Sequence, residues 1–192
     1  MMSSLIGGFS FLFIYAYFII PLAPIVYIFI KWRSYRDGDP PDPQLGMKVI
    51  LYYFKTLAYH VFLASLAILF YGLVKNTGSS IVHVGLGLLV SSVIIYLTHC
   101  ILIHKLTNTA DFPLTARIYT GLNLVIVGLV GMISFVITLV TLFEKGFEKI
   151  ELPLVCFIVY AVAWVLQTAF FCKPSLAKKI SPFHKRRMAS AT

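Results

Sequence analysis

The sequence predicts an all-α integral membrane protein, a bundle of five transmembrane helices with its N-terminus outside and its C-terminus cytoplasmic. Three observations predict it. Five long apolar runs, at about 9–30, 57–74, 81–103, 118–143 and 152–172, fill most of the 192 residues. About 20 apolar residues cross a hydrocarbon core roughly 30 Å thick, so each run has the reach. The composition is 59% hydrophobic and only 12% charged, which leaves too few polar residues to cover a soluble domain of this size. Third, the basic residues are segregated by loop.

That segregation sets the orientation. Lys31, Arg33, Arg36 and Lys48 lie between runs one and two, and Lys105 and Arg117 lie between three and four. Lys173, Lys178, Lys179, Lys185, Arg186 and Arg187 follow run five. These twelve face Lys75, Lys145 and Lys149 on the other side, with Lys55 at a membrane boundary. Positive charge is retained on the cytoplasmic side, which places residues 1–8 outside. The net charge of +9 therefore records topology, and no nucleic-acid partner is expected. The expected division is a membrane domain over 1–172 and a basic cytoplasmic tail over 173–192. The expected location is an inner (plasma) membrane of bacterial type.

Run one carries no basic residue before its apolar core, so it reads as a retained span and not a cleaved signal. Pro21 and Pro24 remove amide donors and predict a kink. The following Asp37-Gly38-Asp39-Pro40-Pro41-Asp42-Pro43 is a turn and helix-start signal. Asp42 can cap a helix whose first residue is Pro43, where the missing N–H does no harm. Helix two is accordingly expected from about Pro43 to Val74, with its first turns beyond the hydrocarbon. Asn76–Ser80 reads as a tight outer turn. Asp111 and Pro113 repeat the Asp-then-Pro pattern, so helix four is also expected to start early. The outer hairpin Glu144–Glu151 is nearly balanced in charge. Cys100, Cys156 and Cys172, odd in number and without paired spacing, do not form a disulfide framework or a metal motif.

The predicted spans contain no Asp or Glu, which disfavours ion-coupled transport, since that chemistry usually places a carboxylate in the membrane. Lys48, Tyr52, Lys55 and Tyr59 fall within about 60° on helix two at 100° per residue. They read as a lipid-facing belt in which Lys55 snorkels to head groups; a substrate-binding Lys55 is the alternative. His60 groups with Ala64 and Ala67, and His99 shares an arc with Gly85 and Ser92, so both histidines are expected to point inward. Helix-packing histidines are the leading reading. Two such imidazoles on adjacent helices are also the ligand set of a b-type haem or a bridging metal.

Helix four carries Gly128, Gly131, Ser134 and Thr138 on one side, with Asn123 at the edge. Helix five aligns Cys156, Tyr160, Ala163 and Gln167. Small and polar stripes of this kind are packing surfaces of membrane helices, and the same stripes can line a narrow polar path. No nucleotide-binding, zinc-protease or nucleophile-elbow motif occurs. The expected function is thus non-enzymatic: a subunit or scaffold that associates with other membrane subunits or with copies of itself. A small oligomeric channel for anions or neutral solutes and a haem-binding redox protein are the alternatives. Lys31, Arg33, Arg36, Lys48, Lys55, Lys178, Lys179, Lys185, Arg186 and Arg187 are expected to meet anionic lipid head groups or an acidic partner.

Overall fold

The computed structural model describes residues 22–37, 42–75, 78–109 and 112–171. They are helical almost throughout: α1 (Leu22–Asp37), α2 (Leu45–Lys75), α3 (Gly78–Leu106), α4 (Leu114–Lys145), a 3-10 turn (Gly146–Lys149) and α5 (Glu151–Phe171). Four of these, α2 to α5, are long and apolar enough to cross a membrane. Their surfaces agree with that solvent. Val90 and Ile94 on α3, Val136 on α4 and Val162 on α5 are all more than half exposed, an arrangement suited to lipid contact and poorly suited to water. The protein is therefore a helical membrane protein.

The helix start foreseen between runs one and two forms as its chemistry requires. The Gln44 amide donates to Asp42 Oδ1 at 2.9 Å and the Leu45 amide to the Asp42 carbonyl at 3.2 Å. Asp42 is thus the cap, and α2 runs 31 residues from Leu45. Helix α4 also starts early, at Leu114, with the Arg117 amide donating to the Pro113 carbonyl. Gly146 closes α4 with φ +69°, the left-handed conformation that favours glycine after a helix C-terminus. Pro153 then falls in the first turn of α5, where no amide donor is needed.

Helix α1 extends past the apolar run that ends at Ile30 and continues through Lys31, Arg33 and Arg36 to Asp37. Helix propensity is favourable for Lys and Arg, so the hydrocarbon boundary need not end a helix. The part of run one before Leu22, the kink at Pro21, the tail cations and Cys172 lie outside the described residues.

The chain divides into two compact units, residues 1–123 and 124–192. In the first, α2 and α3 are antiparallel neighbours, paired by Phe54 with His99 and by Tyr59 with Tyr96. Close approach is set by Gly85, where a Cβ would lie 2.8 Å from Leu69 Cγ and 3.2 Å from the Leu69 backbone nitrogen. Ser92, about two turns further along the same face of α3, is 1% exposed. The end of this unit where α2 begins has its own apolar core of Val26, Ile30, Leu45, Val49, Leu51, Tyr52, Ile103 and Tyr119. In the second unit Gly128 and Gly131 receive Trp164 and Tyr160 of α5, and Phe135 packs on Phe157 with ring centroids 5.0 Å apart.

Candidate functional site

The first unit gathers its polar groups at the N-terminal end of α2. Lys48 stands six residues after the capping Asp42, less than two turns of helix, which brings its ammonium back over the cap. Lys48 Nζ donates to Asp42 Oδ2 at 2.8 Å and to the Asn108 carbonyl at 2.8 Å. It also sits 5.0 Å from the centre of the Phe112 ring. The Asn108 amide donates in turn to Gln44 Oε1 at 2.8 Å. Asp42, Gln44 and Lys48 thus clamp the α3–α4 connection to the start of α2. The Lys48 side chain is 0% exposed. A buried charge is tolerable only when paired and hydrogen-bonded, as this one is.

The lipid-facing belt on α2 is corrected by this geometry. Lys48 and Tyr52 are buried, Lys55 and Tyr59 are half-buried, and Phe70 further along is exposed. Lys55 Nζ lies 5.7 Å from the Tyr52 ring and 5.4 Å from the Tyr96 ring, so cation–π contacts hold it against α3. A 60° stripe has one direction but two possible surroundings, and Asp42 and the Asn108 carbonyl supply the inward one. Lys48 is unavailable to a head group.

Beyond Lys48 along α2 the buried row continues through Tyr52 and Thr56 to His60, which is 2% exposed. Helix α4 answers it with Thr115, Tyr119 and Asn123. The Tyr52 and Tyr119 rings stack, with centroids 6.0 Å apart and planes at 19°. One turn outward, Asn123 Nδ2 donates to Thr56 Oγ1 at 3.4 Å. The reading of His60 as an inward residue is supported by its burial, and its ring meets Tyr59 edge-on at 5.8 Å. His99 is half-buried on the Phe54 ring, 5.6 Å between centroids. Its Nδ1 lies 2.8 Å from the Ile95 carbonyl, so that nitrogen carries the proton. Phe54, the level of His99, is six residues from His60, roughly 9 Å along the α2 axis.

Comparisons with protein families, curated proteins and solved structures returned no match.

The predicted stripes of α4 and α5 take their places by packing. Ser134 and Thr138 are buried, and the Thr138 hydroxyl donates to the Ser134 carbonyl at 2.7 Å. Tyr160 and Ala163 are buried while Cys156 and Gln167 are half-buried. Lys31, Arg33 and Arg36 are exposed on α1, with the Arg36 guanidinium 4.9 Å from the Trp32 ring.

Two features escaped the sequence reading. Thr115, Tyr119 and Asn123 recur every four residues on α4, a legible signal, but Tyr119 was indistinguishable from an interfacial aromatic. The second feature is a stripe on α3. His83, Gly87, Ser91, Ile94 and Thr98 fall within about 80° of arc, and all are exposed. A Cβ at Gly87 would meet nothing within 4 Å. The Ser91 and Thr98 hydroxyls fold back onto the Gly87 and Ile94 carbonyls, each at 2.8 Å, so the face is polar yet internally satisfied.

Proposed function

We propose that the protein is a non-enzymatic subunit or scaffold of a larger membrane assembly, acting through helix association. The observation that carries this reading is the outward stripe of α3. Lipid tails are as apolar as leucine, so membrane helices associate by close van der Waals packing at small residues. Gly85 already serves that purpose inside the first unit; Gly87, two residues on, offers the same opportunity on the outer side. Ser91 and Thr98 extend the shallow surface over three turns. In this reading five spans cross an inner (plasma) membrane, with the N-terminus outside and the C-terminus cytoplasmic, as the twelve-to-three distribution of cations favours. Other membrane subunits or a second copy cover the α3 face.

Solubilising native membranes in mild detergent tests the proposal. The chain should migrate well above its monomer mass, and Gly87→Leu should weaken that association about tenfold, the effect of roughly 1.4 kcal/mol of lost packing. A lone monomer in the parent sample would end the assembly reading.

The cytoplasmic surface in this reading meets anionic lipid. On α1 the exposed side chains pass from Ile25 and Ile28 through Trp32 and Tyr35 to Arg33 and Arg36, the sequence of environments met on leaving a hydrocarbon core. Replacing Lys31, Arg33 and Arg36 with glutamine should strip co-purifying anionic lipid, read by native mass spectrometry, because each such cation contributes about 1 kcal/mol near a charged leaflet. Unchanged lipid content would reduce these residues to topology signals.

A further inference from the structure

The two helices that carry the buried polar row run in the same direction, both starting at the Lys48 clamp. Their residues consequently pair at a constant offset: Tyr52 with Tyr119 and Thr56 with Asn123. Each pair contains one polar atom left over. Tyr119 Oη and Asn123 Oδ1 are buried and meet no protein group in good hydrogen-bonding geometry among the described residues, although the His60 imidazole stands beside the Asn123 amide, and Tyr119 as a whole is only 1% exposed. Unpaired hydroxyl and amide groups are costly in a low-dielectric interior. Buried polar atoms in folded proteins are almost always satisfied, and ordered water does so where no protein group reaches.

We propose that the α2–α4 seam is a hydrated site, with ordered water held at Tyr119 Oη and at Asn123 Oδ1 and supplied from the cytoplasmic end. The donor and acceptor inventory favours water. Tyr119 both donates and accepts, Asn123 Oδ1 accepts, and Thr56 Oγ1 has a proton to give after accepting from Asn123 Nδ2. None of Tyr52, Thr56, Tyr119 and Asn123 carries a charge. At the mouth Lys48 and Asp42 are ion-paired at 2.8 Å, so neither offers a free countercharge to a resident ion. An entry route is lined with hydroxyls: Thr107 Oγ1 lies 3.1 Å from Thr109 Oγ1, and the Thr109 side chain lies beside the Tyr52 hydroxyl. Water thereby reaches Thr56, eleven residues into a membrane-spanning helix that begins at Leu45. This inference is independent of what covers α3.

Water-edited solid-state NMR of the full chain in lipid bilayers tests it directly. The side chains of Thr56, Tyr119 and Asn123 should take up water magnetisation as rapidly as Asn108 in the cytoplasmic connection, whereas Ser91 and Thr98 on the outer face of α3 remain slow. A dry Tyr119 and Asn123 overturn the proposal. Tyr119→Phe supplies the second measurement, since it deletes one oxygen and preserves the stacked ring. Loss of a water-bonded hydroxyl should lower the melting temperature by about 2–6 °C and slow water transfer to Tyr52 and Asn123. A melting temperature that holds or rises in this variant means the hydroxyl was an orphan, and also overturns the proposal.

Discussion

Replacing Lys48 with methionine should lower the melting temperature of the detergent-solubilised protein by about 6–12 °C. Methionine keeps the apolar stem and removes the ammonium, so Asp42 Oδ2 and the Asn108 carbonyl each lose a donor at 2.8 Å. Removing one partner of a buried ion pair typically costs 3–5 kcal/mol, because a desolvated charge remains. Asp42 is 11% exposed, enough for some solvation, which favours the lower end of that range. About 3 kcal/mol corresponds to roughly 6–12 °C in a chain of this size. Asp42→Asn in the same background should recover part of the loss, since the uncompensated charge then disappears while an Asn cap remains competent. A Lys48→Met protein that melts within about 2 °C of the parent would show that the pair contributes nothing net. The wider consequence is mechanical. Without the ammonium, the Asn108 carbonyl loses its tie to the start of α2, so the α3–α4 connection should also become more sensitive to proteolysis.

The second large effect is expected at Gly85, and its control is two residues away. Gly85→Leu places a Cβ 2.8 Å from Leu69 Cγ and 3.2 Å from the Leu69 backbone nitrogen. The side chain of Leu69 can rotate, but the backbone nitrogen cannot, so α2 and α3 must separate. Overpacking of this kind costs about 1–3 kcal/mol, partly offset by the roughly 1 kcal/mol that leucine gains over glycine in a helix. Separation also disturbs the Phe54–His99 and Tyr59–Tyr96 contacts along the same interface, so a fall of about 5 °C is expected. Gly87→Leu adds the same atoms where a Cβ meets nothing within 4 Å. The monomer carrying it should melt no lower than the parent. Equal melting of the two variants would mean that the α2–α3 approach is not limited by Gly85.

Much of the architecture was legible because its causes are local. Apolar runs of membrane length survive any tertiary arrangement. Asp42 and Pro43 mark the α2 start through the chain's own capping and missing amide, and Pro113 does the same for α4. The grouping of Gly85 with Ser92, and of Gly128 with Gly131, followed from helical periodicity, and the structure gives these glycines neighbouring helices. The end of α1 was not legible, because hydropathy reports where the hydrocarbon ends and not where hydrogen bonding stops. Lys48 reads as lipid-facing from the sequence because a basic residue near a membrane boundary is ordinarily a snorkelling one. Nothing in the spacing of α2 announces that the Asn108 carbonyl, sixty residues on, will accept a hydrogen bond from it.

By itself, then, the sequence determined the solvent, the helical class, and the starts of α2 and α4, all of which depend on composition or on neighbours within a few residues. Only the tertiary structure decided which polar stripes turn inward. On α3 the arc of Gly85 and the arc of Gly87 are both small and polar, yet Leu69 fills one and the other is exposed. On α2 the same applies to Lys48 and Lys55, one enclosed by Asp42 and Asn108 and the other held between Tyr52 and Tyr96. Helical periodicity fixes the angle between two faces of one helix, but the direction of either face depends on a partner whose distance along the chain leaves no local trace.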